Sequence, residues 1–145
     1  MICLGMEVQG HLNIIIAADH TPRSKSIAGL IEDGFRNLRT VNTSITPSMQ
    51  ISDSDNVADV ILVDLLSSQY STVKTLSEIK SNMPGSKLIA LHIYKSLELI
   101  KPIYELGIDG YLYCDPARGE LVRAINTVSN GEKFYPAFLA AEKNA

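Results

Sequence analysis

Four short apolar runs constrain this chain most: LNIIIA at Leu12–Ala17, VILVDL at Val60–Leu65, KLIAL at Lys87–Leu91 and YLY at Tyr111–Tyr113. Runs of this length, rich in Ile, Val and Leu and lacking polar alternation, suit strands covered on both faces. RTVNTSI at Arg39–Ile45 is a fifth, weaker strand candidate. Between the runs, apolar residues recur at helical spacing. Ser24–Asp33 carries Ile27, Leu30 and Ile31, with Gly34 as a stop; Ser71–Asn82 carries Val73, Leu76 and Ile79 and ends before Pro84-Gly85. Ser96–Leu106 places Leu97, Ile100, Ile103 and Tyr104 on one face, with Gly107 just past the last helical residue. Pro102 inside that pattern predicts a kink or a late start. Arg118–Asn130 carries Leu121, Val122, Ile125 and Val128, followed by Gly131. Ser44–Asn56 stays open: Thr46-Pro47 suits a helix start, but SDSDN is poor helix sequence. Strand–helix alternation repeated about five times predicts a doubly wound α/β sandwich on a parallel sheet, with right-handed crossovers.

The 145 residues match one domain, and 46 % apolar with 20 % charged residues is globular composition. A net charge of −3 without a Lys/Arg run argues against nucleic-acid binding by this domain. Cys3 and Cys114 are too few for a disulfide or zinc framework; reduced thiols in a cytoplasm are the simplest expectation. No apolar run reaches the roughly 18–20 residues of a membrane span. The opening MICLGM has no basic flank or cleavage site, so residues 1–11 are expected to be an N-terminal extension rather than a secretory signal.

In a doubly wound sheet the functional crevice lies beyond the carboxyl ends of the strands. Ala18, Asp19 and His20, then Asp64 to Leu66, His92 and Ile93, and Cys114 and Asp115 stand there. Two carboxylates converging over an apolar sheet repel one another, which raises one pKa or recruits a cation such as magnesium. Either could instead cap a following helix. His20 reads most simply as a loop residue at the start of the first helix, His92 as a loop-edge histidine and Cys114 as a small buried hydrophobe. A sharper alternative gathers Asp19, Asp64, His92 and Cys114 as O, O, N and S ligands of zinc or another transition metal.

These residues carry a resemblance. IIIAADH, GIDGYLYCD and ELVRAINTVSNGEKFYP resemble the first strand with its acidic pair, the fifth strand and the last helix of response-regulator receiver domains, most closely those of LuxR/NarL type. The similarity runs from about Leu12 to Leu139. It implies a flavodoxin-like (CheY-like) three-layer sandwich with a five-stranded parallel sheet in the order 2-1-3-4-5. It implies a domain at 12–131 and a tail or linker at 132–145. Asp64, 45 residues after Asp19, falls at the phosphoacceptor position, and Tyr111 at that of the switch aromatic. A magnesium ion would be held by Asp19, Asp64 and the Leu66 carbonyl.

The departures are specific. The acidic pair, usually Asp-Asp, is Ala18-Asp19; the Ser or Thr after the fourth strand is His92; the Lys after the fifth is Cys114. The loop usually written MPGMDG is SSQYST, Ser67–Thr72. Phosphoryl transfer depends on positioning and electrostatic stabilisation. Losing one charged hydrogen-bond donor costs about 1.5–3 kcal/mol, a factor of roughly 10–150. The expectation is therefore a degenerate receiver, not an enzyme. It would act mainly through a histidine kinase or another signalling protein, or as a homodimer. The expected contact face surrounds Tyr104, Tyr111 and Tyr113, with Lys95, Glu98, Lys101, Glu105, Asp109 and Arg118 as surrounding charges. An orthodox receiver that serves a transcriptional output domain missing from this chain is the alternative; LuxR/NarL receivers continue into a helix-turn-helix domain, and this sequence ends at Ala145. A flavodoxin-like enzyme or nucleotide binder is disfavoured by the lack of GxGxxG, P-loop and Ser-His-Asp patterns.

Overall fold

The apolar runs become the strands of one sheet because each is buried on both faces. A computed structural model describes residues 12–35, 38–43, 45, 58–66, 68 and 71–136. The expectations for residues 1–11, for most of Ser44–Asn56 and for residues 137–145 lie outside the described residues. The strands are β1 (Leu12–Ala17), β2 (Leu38–Thr43), β3 (Val60–Asp64), β4 (Lys87–His92) and β5 (Gly110–Tyr113). They pair in parallel in the order β2-β1-β3-β4-β5. The helices are α1 (Thr21–Glu32), α2 (Thr72–Asn82), α3 (Leu97–Glu105) and α4 (Arg118–Ser129).

The two-residue period of a strand divides the core into two layers. Ile15, Ala17, Ile61, Val63, Leu88 and Ala90 pack with Leu76 and Ile79 of α2 and with Ile100 and Ile103 of α3. Ile14, Ile16, Leu62, Ile89, Leu91 and Leu112 pack with Ile27 and Ile31 of α1 and with Leu121, Ile125 and Val128 of α4. Both layers are apolar, which is why the strands show no polar alternation.

Several boundaries differ from the sequence reading. The first helix begins at Thr21 rather than Ser24, because Pro22 lies in its first turn, where a missing N–H costs nothing. Pro102 does not delay α3, which starts at Leu97 behind a Ser96 cap whose hydroxyl accepts from Leu99 N at 3.3 Å. The N–H that Pro102 lacks would have met the carbonyl of Glu98, an exposed first-turn residue open to water. Gly107, with φ +85°, stops α3 in the left-handed region at the expected position. The exit segment, expected as tail from residue 132, is tied to the sheet. Tyr111 N donates to Phe134 O at 2.8 Å and Phe134 N to Asp109 O at 3.0 Å. Tyr135 Oη donates to Ile108 O at 2.7 Å. No helix among the described residues is long and apolar enough to cross a membrane.

Candidate functional site at the carboxyl edge of the sheet

β3 ends in Asp64, whose side chain is fully buried. Leu65 N still donates to Leu91 O at 2.8 Å, so the strand register holds the carboxylate at the edge between β1 and β4. A buried carboxylate needs charge or donors around it. Asp64 has both. Arg23 Nε donates to Oδ2 at 2.7 Å, Arg23 Nη2 donates to Oδ1 at 3.3 Å, and Leu66 N donates to Oδ1 at 3.2 Å. The third guanidinium nitrogen, Nη1, donates to Asp115 Oδ1 at 2.9 Å. Arg23 therefore joins α1, the end of β3 and the segment after β5. Its pKa is raised further above an already high value, chiefly by the hydrogen bond to Asp64 and against the cost of burial.

Arg23 was absent from the sequence-derived candidates. A signal existed. The first turn of α1 holds no acidic residue, and Arg23 sits there. A cation at the positive end of a helix dipole is disfavoured by about 0.3–1 kcal/mol unless a carboxylate meets it.

Asp19 and His92 make their described hydrogen bonds away from Asp64. Asp19 is exposed, and its Oδ1 accepts from Ile45 N at 2.9 Å, tying the β1–α1 turn to the chain beyond β2. Ala18 is buried. His20 is the N-terminal flanking residue of α1, but its side chain makes no capping bond. His92 ends β4 with Nε2 3.2 Å from Thr72 Oγ1, and its ring lies 4.3 Å from that of Tyr94. Burial pulls its pKa below 6.5, against the opposing pull of the Asp64 charge. Its Nδ1 is buried without a hydrogen-bond partner among the described residues. Cys114 carries a free thiol, has φ +58°, and donates its N–H to His92 O at 2.8 Å. A non-glycine residue there costs about 1–2 kcal/mol, so the tertiary setting imposes the turn.

The geometry bears directly on the expected metal sites. No group of three or more His, Cys, Asp or Glu is arranged to hold a metal ion among the described residues. As arranged here, Asp19, Asp64 and the Leu66 carbonyl do not fit magnesium: Asp19 Oδ1 accepts from Ile45 N, and both Asp64 oxygens face donors. Zinc on Asp19, Asp64, His92 and Cys114 fails for the same reason, with His92 Nε2 also turned to Thr72.

The three tyrosines differ in their settings. Tyr111 is buried beneath the β4–α3 loop and donates its hydroxyl to Tyr94 O at 2.8 Å; burial raises its pKa. Tyr104 meets Tyr135 edge-on at 4.8 Å. Tyr113 is exposed, with Lys95 Nζ 4.9 Å from its ring centre. A groove of about 460 Å³ runs along this side, lined by Tyr94, Tyr111, Tyr113, Phe134 and Tyr135 among others.

Comparison with solved structures places the architecture. The isolated REC domain of RcsB from Salmonella enterica serovar Typhimurium, in the apo form, superposes with a TM-score of 0.79 at 22 % identity, covering 93 % of this chain and 100 % of that one. The fold is that of a response-regulator receiver domain. A LuxR family DNA-binding response regulator from Silicibacter pomeroyi superposes with a TM-score of 0.72 at 23 % identity, over 88 % of this chain and 98 % of that one. In sequence the chain is 27 % identical over 121 residues to the uncharacterized transcriptional regulatory protein YxjL of Bacillus subtilis, covering 78 % of this chain and 56 % of that protein. It is 25 % identical over 130 residues to a nitrate/nitrite response regulator protein homolog of Haemophilus influenzae, covering 86 % and 60 %. The chain thus spans less than two thirds of either relative. No protein-family model matches it.

Proposed function

We propose that this chain is an atypical response-regulator receiver domain. It takes part in two-component-type signalling mainly through protein–protein contact, with phosphorylation at Asp64 impaired. The receiver fold and the similarity to response regulators support the setting. One observation carries the atypical reading: among the described residues, the ends of β4 and β5 bring no positive charge toward Asp64. His92 is turned onto Thr72 with a lowered pKa, and Cys114 replaces a lysine with a thiol. A phosphoryl group on Asp64 would meet neither the hydroxyl nor the ammonium that ordinarily stabilise its oxygens.

Output then depends on surface. The side formed by α3, β5 and α4 presents Tyr113 under Lys95, and Leu99 is exposed on α3. An aromatic residue with neighbouring charges is the composition of an interface anchor, for a second copy of the chain, a histidine kinase or another signalling protein. The orthodox reading, a phosphoacceptor serving a transcriptional output domain, is favoured by Asp64 itself, held buried at the end of β3.

One assay separates the two. The protein is incubated with magnesium and acetyl phosphate and its intact mass is read, with Asp64→Asn as control. No adduct on the folded wild type supports the atypical reading. A phosphoryl adduct that Asp64→Asn lacks overturns it in favour of the orthodox one.

A further inference from the structure

We propose that Arg23 is a built-in cation that takes the place of a divalent metal at Asp64 and keeps the carboxylate out of metal chemistry. The residues at this edge, as arranged, do not fit a magnesium ion, and the proposal rests on reading Asp64 as an acceptor this chain does not use.

Each guanidinium nitrogen is engaged: Nε and Nη2 face the two oxygens of Asp64, and Nη1 faces Asp115. Fork-to-carboxylate pairing of this kind is the strongest hydrogen bonding that arginine offers. It supplies what a metal would supply, positive charge on a carboxylate buried at the end of β3. Arg23 is also tethered. Its backbone is fixed in α1, so the cation stands at high effective concentration and no free ion has to be recruited. A divalent ion would have to displace the side chain and would then share the edge with the released positive charge. Arg23 itself needs the carboxylate, since it sits at the unfavourable end of the α1 dipole. Asp64 and Arg23 each satisfy what the other lacks. Asp115, exposed on the far side, steers Nη1 but contributes little of the energy.

The test is Mn²⁺ titration of the intact chain, followed by water-proton relaxation, for wild type, Arg23→Ala, Arg23→Gln and Arg23→Ala/Asp64→Asn. Circular dichroism confirms that each variant is folded, and Arg23→Gln stands in if the alanine variant is not. The expected result is an affinity for Mn²⁺ that rises by about tenfold or more when Arg23 is removed and returns to the wild-type value when Asp64 is also changed. A merely structural arginine would not produce an Asp64-dependent gain. Three results overturn the proposal: a wild type that binds Mn²⁺ as tightly as the Arg23 variants, folded variants with no gain, or a gain that survives Asp64→Asn. No phosphoryl donor is present, so this outcome is independent of the acetyl phosphate assay. A wild type that accepts phosphate defeats the functional reading above, whereas the titration judges Arg23 alone.

Discussion

Replacing Arg23 with methionine keeps most of the side-chain volume and removes the charge. Asp64 then remains buried with Leu66 N as its one remaining donor among those described for it. Removing one partner of a buried ion pair costs about 3–5 kcal/mol, because the other charge is left uncompensated. Arg23 retains 24 % side-chain exposure, against 0 % for Asp64. Water can therefore reach part of the vacated space, and the lower end applies, about 3 kcal/mol. For a chain of this size that is a fall in Tm of roughly 6–12 °C. The double variant Arg23→Met/Asp64→Asn has neither charge and is expected within about 1 kcal/mol of wild type. Urea denaturation of wild type, both single variants and the double variant gives the full cycle. Strong non-additivity is the expected outcome. A loss of less than about 1 kcal/mol for Arg23→Met, or simple additivity, refutes the claim that the pair is a coupled buried unit.

Other expectations follow from the same geometry. His92 holds its pKa below 6.5 in the folded chain because burial outweighs the attraction of Asp64. The unfolded chain then takes a proton that the folded chain refuses, so stability present above about pH 6.5 declines as the pH falls below it. In thermal melts between about pH 7 and pH 5, His92→Gln should flatten that decline; an unchanged slope contradicts it. A methyl group at Gly110 would meet Val128 Cγ2 at 3.2 Å, with Ile89 Cγ1 and the Phe134 carbonyl each at 3.3 Å. Gly110→Ala should therefore destabilise the chain by about 1–3 kcal/mol in denaturant melts. Tyr135→Phe removes the bond to Ile108 O and should cost about 1 kcal/mol. No loss would mean that the exit segment is not part of the folding unit.

The sheet was legible because its physics is local. LNIIIA, VILVD and KLIALH contain almost nothing but strand-compatible apolar residues, since helices cover both sides of them. β2 read weakly because LRTVNT belongs to an edge strand, where polar residues are tolerated. The apolar pattern starts α1 three residues late, at Ser24 rather than Thr21, and so hides Arg23. With Thr21 and Pro22 taken as loop, an arginine at position 23 is one more solvated charge. With them as the first turn, it projects from a helix start beside the ends of the strands. The crevice itself could be located from strand order, and Asp64, His92 and Cys114 all stand at strand ends or just beyond. Their mutual arrangement could not be read, because side chains at neighbouring strand ends have several possible partners. Asp19 turned to the backbone of Ile45 and His92 to Thr72, and neither choice leaves a mark in spacing.

The most direct measurement of the central claim is the Arg23 side-chain Nε–H signal in a ¹H–¹⁵N correlation spectrum at neutral pH. A resolved, slowly exchanging signal is expected in the wild type, held by Asp64, that shifts or broadens away in Asp64→Asn. A signal that exchanges rapidly with water in the wild type, or is indifferent to Asp64→Asn, would contradict it.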